Sequence, residues 1–475
     1  MKEIEVVIGL EVHVQLATAT KMFCRCPNLF GQPPNTLICP VCMGLPGSLP
    51  VVNAKAVELG IKAALALNCH INREIIFERK NYFYPDLPKG YQISQYALPL
   101  AEEGFIEIEG KKIRIRRAHL EEDAGKLIHS SLGSGVDFNR AGVPLLEIVT
   151  EPDVHSPQQA YDYLTQLKTI MQYVGVSSCD MEKGFLRCDA NISLPRKGEK
   201  LGVKTEVKNM NSFRGVKDAL SYEIERQSEI IQKGGRIIQE TRLWDEARRK
   251  TFSMRSKEEA HDYRYFPEPD LVKYTFTEEE IEKLRNSLPE MPQVKYERFK
   301  KQYKIEESLL KALVEEKNLA DFFESSLRYY PQPKSVANWI LGPLREIMNI
   351  KRIENIENIA LSPDNFTKVV RMFDEKKLNN IATKKLLSLI LENNENAAVV
   401  AEKNNLLQIS NAADLEAWVE EAVRTNPKPV NDYLSGKKNA LMFLVGVVMR
   451  KSSGQANPTV VKDLLVRRIK DEKSN

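Results

Sequence analysis

The sequence predicts an α+β protein, with strands in its first 292 residues, helices beyond them and a small basic segment at the end. Three observations carry that reading. Three segments up to Asn209 alternate apolar and polar residues with a period of two, the mark of strands buried on one side, and a fourth, Val143 to Val149, is apolar around the single acid Glu147. Pro289 and Pro292 bracket a linker, past which the apolar period is helical, with start signals of the kind seen at Thr277 before Glu280 and at Ser362-Pro363. From Val430 to Asn475 nine Lys or Arg stand against four Asp or Glu, on a chain whose whole net charge is only +4, which points to a polyanionic partner held at that end. The expected divisions are 1–292, 293–408 and 409–475.

Composition narrows the class. At 475 residues, 42% hydrophobic and 28% charged, the chain is an ordinary globular sequence with room for two or three domains. No run approaches the roughly 18 apolar residues of a membrane span. The start, Met-Lys-Glu-Ile-Glu-Val, lacks the apolar stretch of a secretory leader, so the expected location is cytoplasmic, with no membrane partner. Seven cysteines, four of them clustered, point to metal rather than to a disulfide framework.

In the first strand, Val6, Ile8, Leu10, Val12, Val14 and Leu16 share one face, and Gly9, Glu11, His13 and Gln15 share the other. Glu11 and His13 therefore project side by side, ~7 Å apart, close enough to serve one ion. Next, Cys24, Cys26, Cys39 and Cys42 form the pattern C-x-C-x12-C-x2-C. Four sulfurs on one short loop are the tetrahedral set of a structural Zn²⁺, and such a closed site stiffens a loop rather than doing chemistry. Cys69, Cys179 and Cys188 are isolated and read as core.

Ala54 to Leu67 reads as an apolar helix, and Arg79 to Gln95, where aromatics alternate with cations, amides and prolines, as a rigid loop suited to a base and a phosphate or to tyrosine packing. Phe105 to Arg116 reads as a hairpin turning at Glu109-Gly110. It leads to His119-Leu-Glu121-Glu122-Asp123. In the strand Val143 to Val149, Leu145, Glu147 and Val149 share a face, and an acid taken out of water there needs a cation or several donors opposite it. Two readings stay open: a carboxylate site for divalent ions, or an Arg140–Glu147 ion pair beside a solvated acidic turn. Helices follow Ser156-Pro157 and Asn211-Ser212, ending at Gly175 and Gly234. Between them lie two more polar-faced strands, one with Arg187, Asp189, Asn191 and Ser193, the other with Lys204, Glu206 and Lys208. If the four strands share one sheet, their polar faces combine into a concave site with acids for metals and lysines for phosphate.

These residues, in this order, resemble the B-subunit family of the aspartyl/glutamyl-tRNA(Asn/Gln) amidotransferase. The motifs that carry the resemblance are Ile8-Gly9-Leu10-Glu11-Val12-His13-Val14, Arg79-Lys80-Asn81-Tyr82-Phe83-Tyr84-Pro85-Asp86, His119 to Lys126, Asn139-Arg140 with Pro144-Leu-Leu-Glu147, Arg187-Cys-Asp189-Ala-Asn191 and Lys208-Asn209-Met-Asn211-Ser212-Phe213. It covers essentially the whole chain. It implies a mixed, largely antiparallel cradle domain, a helical domain and a small tRNA-binding tail, the part from about Tyr330 onward resembling a YqeY-like tRNA-associated domain that ends in Gly454-Gln455-Ala456-Asn457-Pro458.

The resemblance also implies a reaction. The side-chain carboxylate of Glu-tRNA(Gln) or Asp-tRNA(Asn) is phosphorylated by ATP, and ammonia then displaces phosphate to give the amide. It implies His13, Glu122 and Glu147 as ligands of Mg²⁺, with Mn²⁺ as the alternative ion, and Glu11 and Asp189 completing the shell directly or through water. Lys204, Lys208 and Arg187 are expected on phosphate. Lys80, Tyr82 and Tyr84 are expected against the terminal adenosine or ATP. The paired cysteines resemble a zinc knuckle found in some members. No G-x4-G-K-[ST] pattern is present, so nucleotide binding is expected to be of another kind. No nucleophile elbow or assignable Cys-His pair supplies ammonia, and the family's A subunit, an amidase tied in by the small C subunit, is the expected source. A glutamyl- or aspartyl-tRNA synthetase is a further expected partner. A metal-dependent nuclease and a non-catalytic tRNA-binding scaffold are the competing readings.

Overall fold

The computed structural model describes residues 4–130, 133–196, 201–256, 263–408, 412–452 and 456–474, so Gly454 and Gln455 of the closing motif lie outside the described residues. The chain divides into two compact units, Met1–Val294 and Lys295–Asn475.

Sixteen strands are described, all in the first unit. They are β1 Val7–Gln15, β2 His70–Ile71, β3 Glu74–Ile75, β4 Glu78–Asn81, β5 Tyr91–Ser94 and β6 Ala101–Ile108. Next come β7 Lys111–Glu122, β8 Lys126–Ser130, β9 Gly133–Asp137, β10 Pro144–Thr150 and β11 Leu186–Ser193. The last are β12 Thr205–Met210, β13 Glu240–Asp245, β14 Lys250–Ser256, β15 Arg264–Pro267 and β16 Tyr274–Thr275. Nine of them form one sheet in the order β14-β13-β12-β11-β1-β10-β7-β6-β2, antiparallel throughout except for the β12–β13 pair. The four polar-faced segments are thus the four consecutive strands β12, β11, β1 and β10. The condition set by the sequence, that the four share one sheet, is met.

Helices α1 Ala54–Ala66, α2 Pro157–Tyr173 and α3 Phe213–Gln232 cover the apolar face of this sheet. Their buried residues and those of the strands, among them Ile8, Leu10, Val12, Leu120, Leu146, Ile148, Leu164 and Leu220, make one core. Asn53, Ser156 and Ser212 cap the three helices through their side chains. Each such cap contributes about 1 kcal/mol. A fourth helix, α4 Glu278–Asn286, opens with the Thr277/Glu280 capping box. The β6–β7 hairpin turns at Glu109 and Gly110 with φ of 50° and 76°, the two left-handed residues a tight turn of its kind demands.

The segment Arg79 to Gln95 is not a loop throughout. β4 and β5 pair antiparallel, and β15 joins β4 to complete a three-stranded sheet. Its polar composition has a physical reason. Lys80 and Gln92 face a cavity, while Arg79 grips Glu268 at 2.7 and 2.8 Å and lies 4.3 Å from the Tyr91 ring centre.

The second unit is helical among its described residues. Its last four helices, Ala412–Thr425, Pro427–Leu434, Asn439–Lys451 and Pro458–Ser474, surround a core of their own with Leu415, Val419, Leu444, Val448, Val461, Leu465 and Ile469. Among the described residues, no helix is long and apolar enough to cross a membrane.

Candidate active site

Strand register builds the site. His13 on β1 lies opposite Glu147 on β10 and opposite Arg187 on β11, and Glu147 in turn lies opposite His119 on β7. One row across four strands therefore reads Arg187, His13, Glu147, His119. Residues that pair across strands share a face, so all four project away from the helices. Two residues along the strands the next row holds Glu11 opposite Asp189, and β12 adds Glu206 and Lys208 beside it. Above this face lies a cavity of about 580 Å³ lined by Glu11, His13, Glu121, Glu147, Arg187, Asp189, Lys204, Glu206 and Lys208, and also by Lys80, Tyr82, Gln92 and Tyr263. A smaller cleft of about 260 Å³ continues past Gly9 and shares Glu11 and Lys204 with it.

His13, Glu121 and Glu147 form the tightest group. Each offers one ligand atom, and these lie within 4.8 Å of one another. His13 Nε2 is 3.4 Å from Glu121 Oε1 and 3.5 Å from Glu147 Oε2. Burial alone would lower the His13 pKa, but its hydrogen bond to Glu147 and the charges of Glu147 and Glu121 outweigh this and raise it to about 9. Burial would raise Glu147, yet His119 and His13 beside it hold it well below the usual carboxylate range. Burial does raise Glu121, reinforced by the Glu147 charge. Two buried carboxylates and one imidazole converging on a single point are a donor set that a divalent cation fits, because the ion takes up the negative charge that two protons or cationic side chains otherwise neutralise.

A cationic rim faces this group. Lys208 Nζ is 2.5 Å from Asp189 Oδ2 and 3.2 Å from Glu206 Oε1. Burial opposes its charge, but Asp189 and Glu206 outweigh that and raise its pKa. Asp123 is buried and bridges Arg187 at 2.9 Å and Arg140 at 2.6 Å. Burial would raise its pKa, and the two guanidiniums instead lower it. Glu11 accepts from Asn191 Nδ2 at 2.9 Å.

Three expectations need correction. Glu122 does not join His13 and Glu147: it turns to the other side of β7, where it is ion-paired with Lys89 and accepts from the Ile93 N–H at 3.0 Å. Adjacent residues of a strand point to opposite faces, so Glu121 takes its place. Tyr84 is 55% exposed and lies outside the cavity lining, unlike Lys80 and Tyr82. Arg140 pairs with Asp123, not with Glu147, and Glu121, Glu122 and Asp123 are buried rather than a solvated turn.

Cys24, Cys26, Cys39 and Cys42 also come together, each offering a sulfur within 4.8 Å of the others. Lys21, fully buried, places Nζ 3.7 Å from Cys42 Sγ, and the Cys39 N–H donates to the same sulfur at 3.2 Å. A buried cation and an N–H aimed at one sulfur favour thiolate, the form a metal takes. The Cys24 hydrogen bond lowers the Cys42 pKa to about 5, with help from the Cys39 N–H and the Lys21 charge. The loop is tied to the segment that carries Arg140: Met22 N–H donates to Gly142 O at 2.7 Å, Leu37 N–H to Asn139 Oδ1 at 2.8 Å, and Asn139 Nδ2 to Pro33 O at 2.7 Å.

Comparison with known proteins shows the family. Residues 6–282 match the family described as the GatB/GatE catalytic domain, and residues 321–469 match the one described as the GatB domain. The chain belongs to the GatB family. It is 50% identical over 475 residues to the B subunit of the aspartyl/glutamyl-tRNA(Asn/Gln) amidotransferase of Carboxydothermus hydrogenoformans, covering 98% of each chain. The protein of the same name from Persephonella marina is 50% identical over 474 residues, covering 98% of this chain and 100% of that one. The one from Brevibacillus brevis is 47% identical over 472 residues, covering 98% of both.

Within this GatB chain, the structure brings Glu11, His13, Lys80, Tyr82, Glu147, Arg187, Asp189, Lys204 and Lys208 around one cavity. Sequence reasoning missed Tyr263 and Gln239 in its lining, held Gln92 only within the segment read for base and phosphate contact, and left Glu121 and Glu206 among the acids of the site with no individual role. Glu206 was within reach, since it lies between Lys204 and Lys208 on a recognised polar face. Tyr263 carried no signal: it stands beside β15, whose pairing with β4 joins residues more than 180 positions apart, such as Arg264 and Asn81.

Proposed function

We propose that this chain is the carboxylate-activating subunit of a tRNA-dependent amidotransferase. It uses ATP to phosphorylate the side-chain carboxylate of Glu-tRNA(Gln), Asp-tRNA(Asn) or both, then lets ammonia displace phosphate to give the amide. The observation that carries this reading is the meeting of His13, Glu121 and Glu147 with Lys204, Lys208 and Arg187 in one cavity of a chain half identical to proteins of that name. A carboxylate is a poor electrophile and repels a triphosphate, so activation needs positive charge on both. Mg²⁺ or Mn²⁺, when bound, supplies that charge and aligns the oxygens.

His13, Glu121 and Glu147 are the residues that would hold the ion, with Glu11 and Asp189 completing its surroundings. Arg187, Lys204 and Lys208 bear on phosphate and on the charge that develops as it transfers. Asp123 fixes Arg187 in place. Lys80 and Tyr82 form the wall expected against adenosine, and the cleft past Gly9 gives a nucleotide room along the same face. The four cysteines hold zinc as a stiffener of the neighbouring loop. Ammonia enters from the amidase of the assembly, its A subunit, with the small C subunit alongside and a glutamyl- or aspartyl-tRNA synthetase as a further partner, in the cytoplasm.

The test is the assembled complex with misacylated tRNA, ATP and glutamine. ATP consumption with transfer of glutamine nitrogen to intact tRNA, lost in Glu147→Gln, is the expected result. Cleavage of tRNA without ATP favours a nuclease, and full amidation by Glu147→Gln favours a scaffold; either outcome overturns the proposal.

A further inference from the structure

His119 lies outside the three-ligand group, yet its Nε2 is 3.2 Å from Glu147 Oε2, nearer than His13 at 3.5 Å. The two histidines sit on opposite sides of Glu147, one strand away in each direction. Their settings differ. The His13 side chain is 21% exposed and lines the cavity, whereas that of His119 is 3% exposed and does not. Among the described residues, His119 Nδ1 is buried with no hydrogen-bond partner. Leaving a ring nitrogen unsatisfied is costly, and the contact of Nε2 with Glu147 is what offsets that cost.

Nε2 of a histidine cannot donate a hydrogen and offer its lone pair to a metal at once. His13 Nε2 is the atom that faces both carboxylates, so once it coordinates an ion it gives up its hold on Glu147. We infer that His119 is the positioning residue of this site: its Nε2–H keeps the Glu147 carboxylate in place while His13 turns to a divalent cation. This rests on the reading that His13, Glu121 and Glu147 hold the metal. Hydrogen-bond partners of metal-binding carboxylates govern affinity by fixing ligand orientation, without touching the ion.

The probe is Mn²⁺ alone, titrated calorimetrically into the purified full-length chain and followed by pulsed electron paramagnetic resonance. His119→Phe is expected to weaken Mn²⁺ binding ~10–100-fold. His119→Gln, whose amide N–H reaches the same oxygen, is expected to restore most of it. The wild-type spectrum is expected to show coupling to one imidazole nitrogen, lost in His13→Ala. Unchanged affinity in His119→Phe, equal loss in the Gln and Phe variants, or a coupling that survives His13→Ala and disappears with His119→Phe would each overturn the inference. Absence of any imidazole coupling in the wild type would instead sink the metal reading, and this inference with it.

Discussion

Glu121 and Glu122 are neighbours in the chain and serve opposite faces of β7. Glu121 Oε1 lies 3.4 Å from His13 Nε2, while Glu122 is paired with the buried Lys89. Their substitutions should therefore separate. Glu121→Gln removes a ligand and is expected to weaken Mn²⁺ binding at least ~10-fold with little change in melting temperature. Glu122→Gln leaves Lys89 without its carboxylate, at a cost of about 3–5 kcal/mol, and should keep Mn²⁺ affinity nearly unchanged. Metal titration and thermal melting of the two variants check both, and an exchange of the two outcomes would return the ligand role to Glu122.

Protons and metal compete for His13. Its folded pKa of about 9 lies above the ordinary value of 6.5, so in metal-free protein the charged ring contributes stability that is fully present below pH 6.5 and lost as pH rises through 9. Metal binding has the opposite sign, because coordination needs the neutral ring. Mn²⁺ affinity should rise by up to ~10-fold per pH unit from pH 7 toward 9 and then level off, while the metal-free melting temperature falls over the same range. Calorimetric titrations across that window in wild type and His13→Gln measure it, and a flat wild-type profile would contradict the pairing of His13 with two carboxylates.

Much of this site was legible before any coordinates, because period-two alternation placed Glu11, His13, Asp189, Lys204 and Lys208 on polar faces and marked Glu147 as an acid taken out of water, and antiparallel pairing put those faces on one surface. Glu122 as a ligand comes from the family resemblance, and unbroken alternation along β7 would not have corrected it. In β7, Ile113 and Ile115 point to the core, and unbroken alternation carries that face to Arg117, His119 and Glu121 and the outer face to Glu122. The register slips beside Arg116, where Ile115 pairs with Thr150 and Arg117 with Val149, so one extra residue exchanges the two faces. Leu120 and Ala118 then take the core, and His119 and Glu121 the cavity. A bulge of this kind has no composition signal beside the adjacent cations Arg116 and Arg117. The wall made by β4, β5 and β15 was hidden for another reason: its residues alternate between cavity and a cation-aromatic stack, and neither side looks apolar.

The cysteine loop should report on the site it adjoins. The Cys42 pKa, near 5, lies below the ordinary thiol value of 9, so the stability its thiolate contributes is present above pH 9 and is lost as pH falls through 5. Zinc competes with protons for all four sulfurs, so it should be retained at neutral pH and released on acidification. Removing it with a chelator, or Cys42→Ser, is expected to lower the melting temperature by several degrees and to speed amide exchange in residues 21–42 and 136–142, which share the Met22–Gly142 and Leu37–Asn139 hydrogen bonds. Metal analysis and exchange mass spectrometry test this, and exchange confined to residues 21–42 would show that the loop does not brace Arg140.

The basic end offers a different kind of measurement. Deleting the chain from Val430 onward would cut through the core that Leu415 and Val419 share with Leu444, Val461 and Leu465, so loss of function there would report unfolding as readily as lost contacts. Charge removal at the surface avoids this. Lys438, Arg450, Lys462 and Arg467 are exposed and belong to helices or turns around that core without filling it. Replacing the four by Gln is expected to leave melting unchanged within a few tenths of a kcal/mol, since exposed charges contribute little to stability. If these side chains neutralise tRNA phosphates, each one lost removes ~0.7–0.9 from the slope of log affinity against log salt, so the slope should fall by roughly 3 units and binding should weaken most at low salt. Filter binding of tRNA across a salt series measures it, with metal affinity at His13, Glu121 and Glu147 as the internal control. An unchanged slope would place the tRNA contacts elsewhere on the chain.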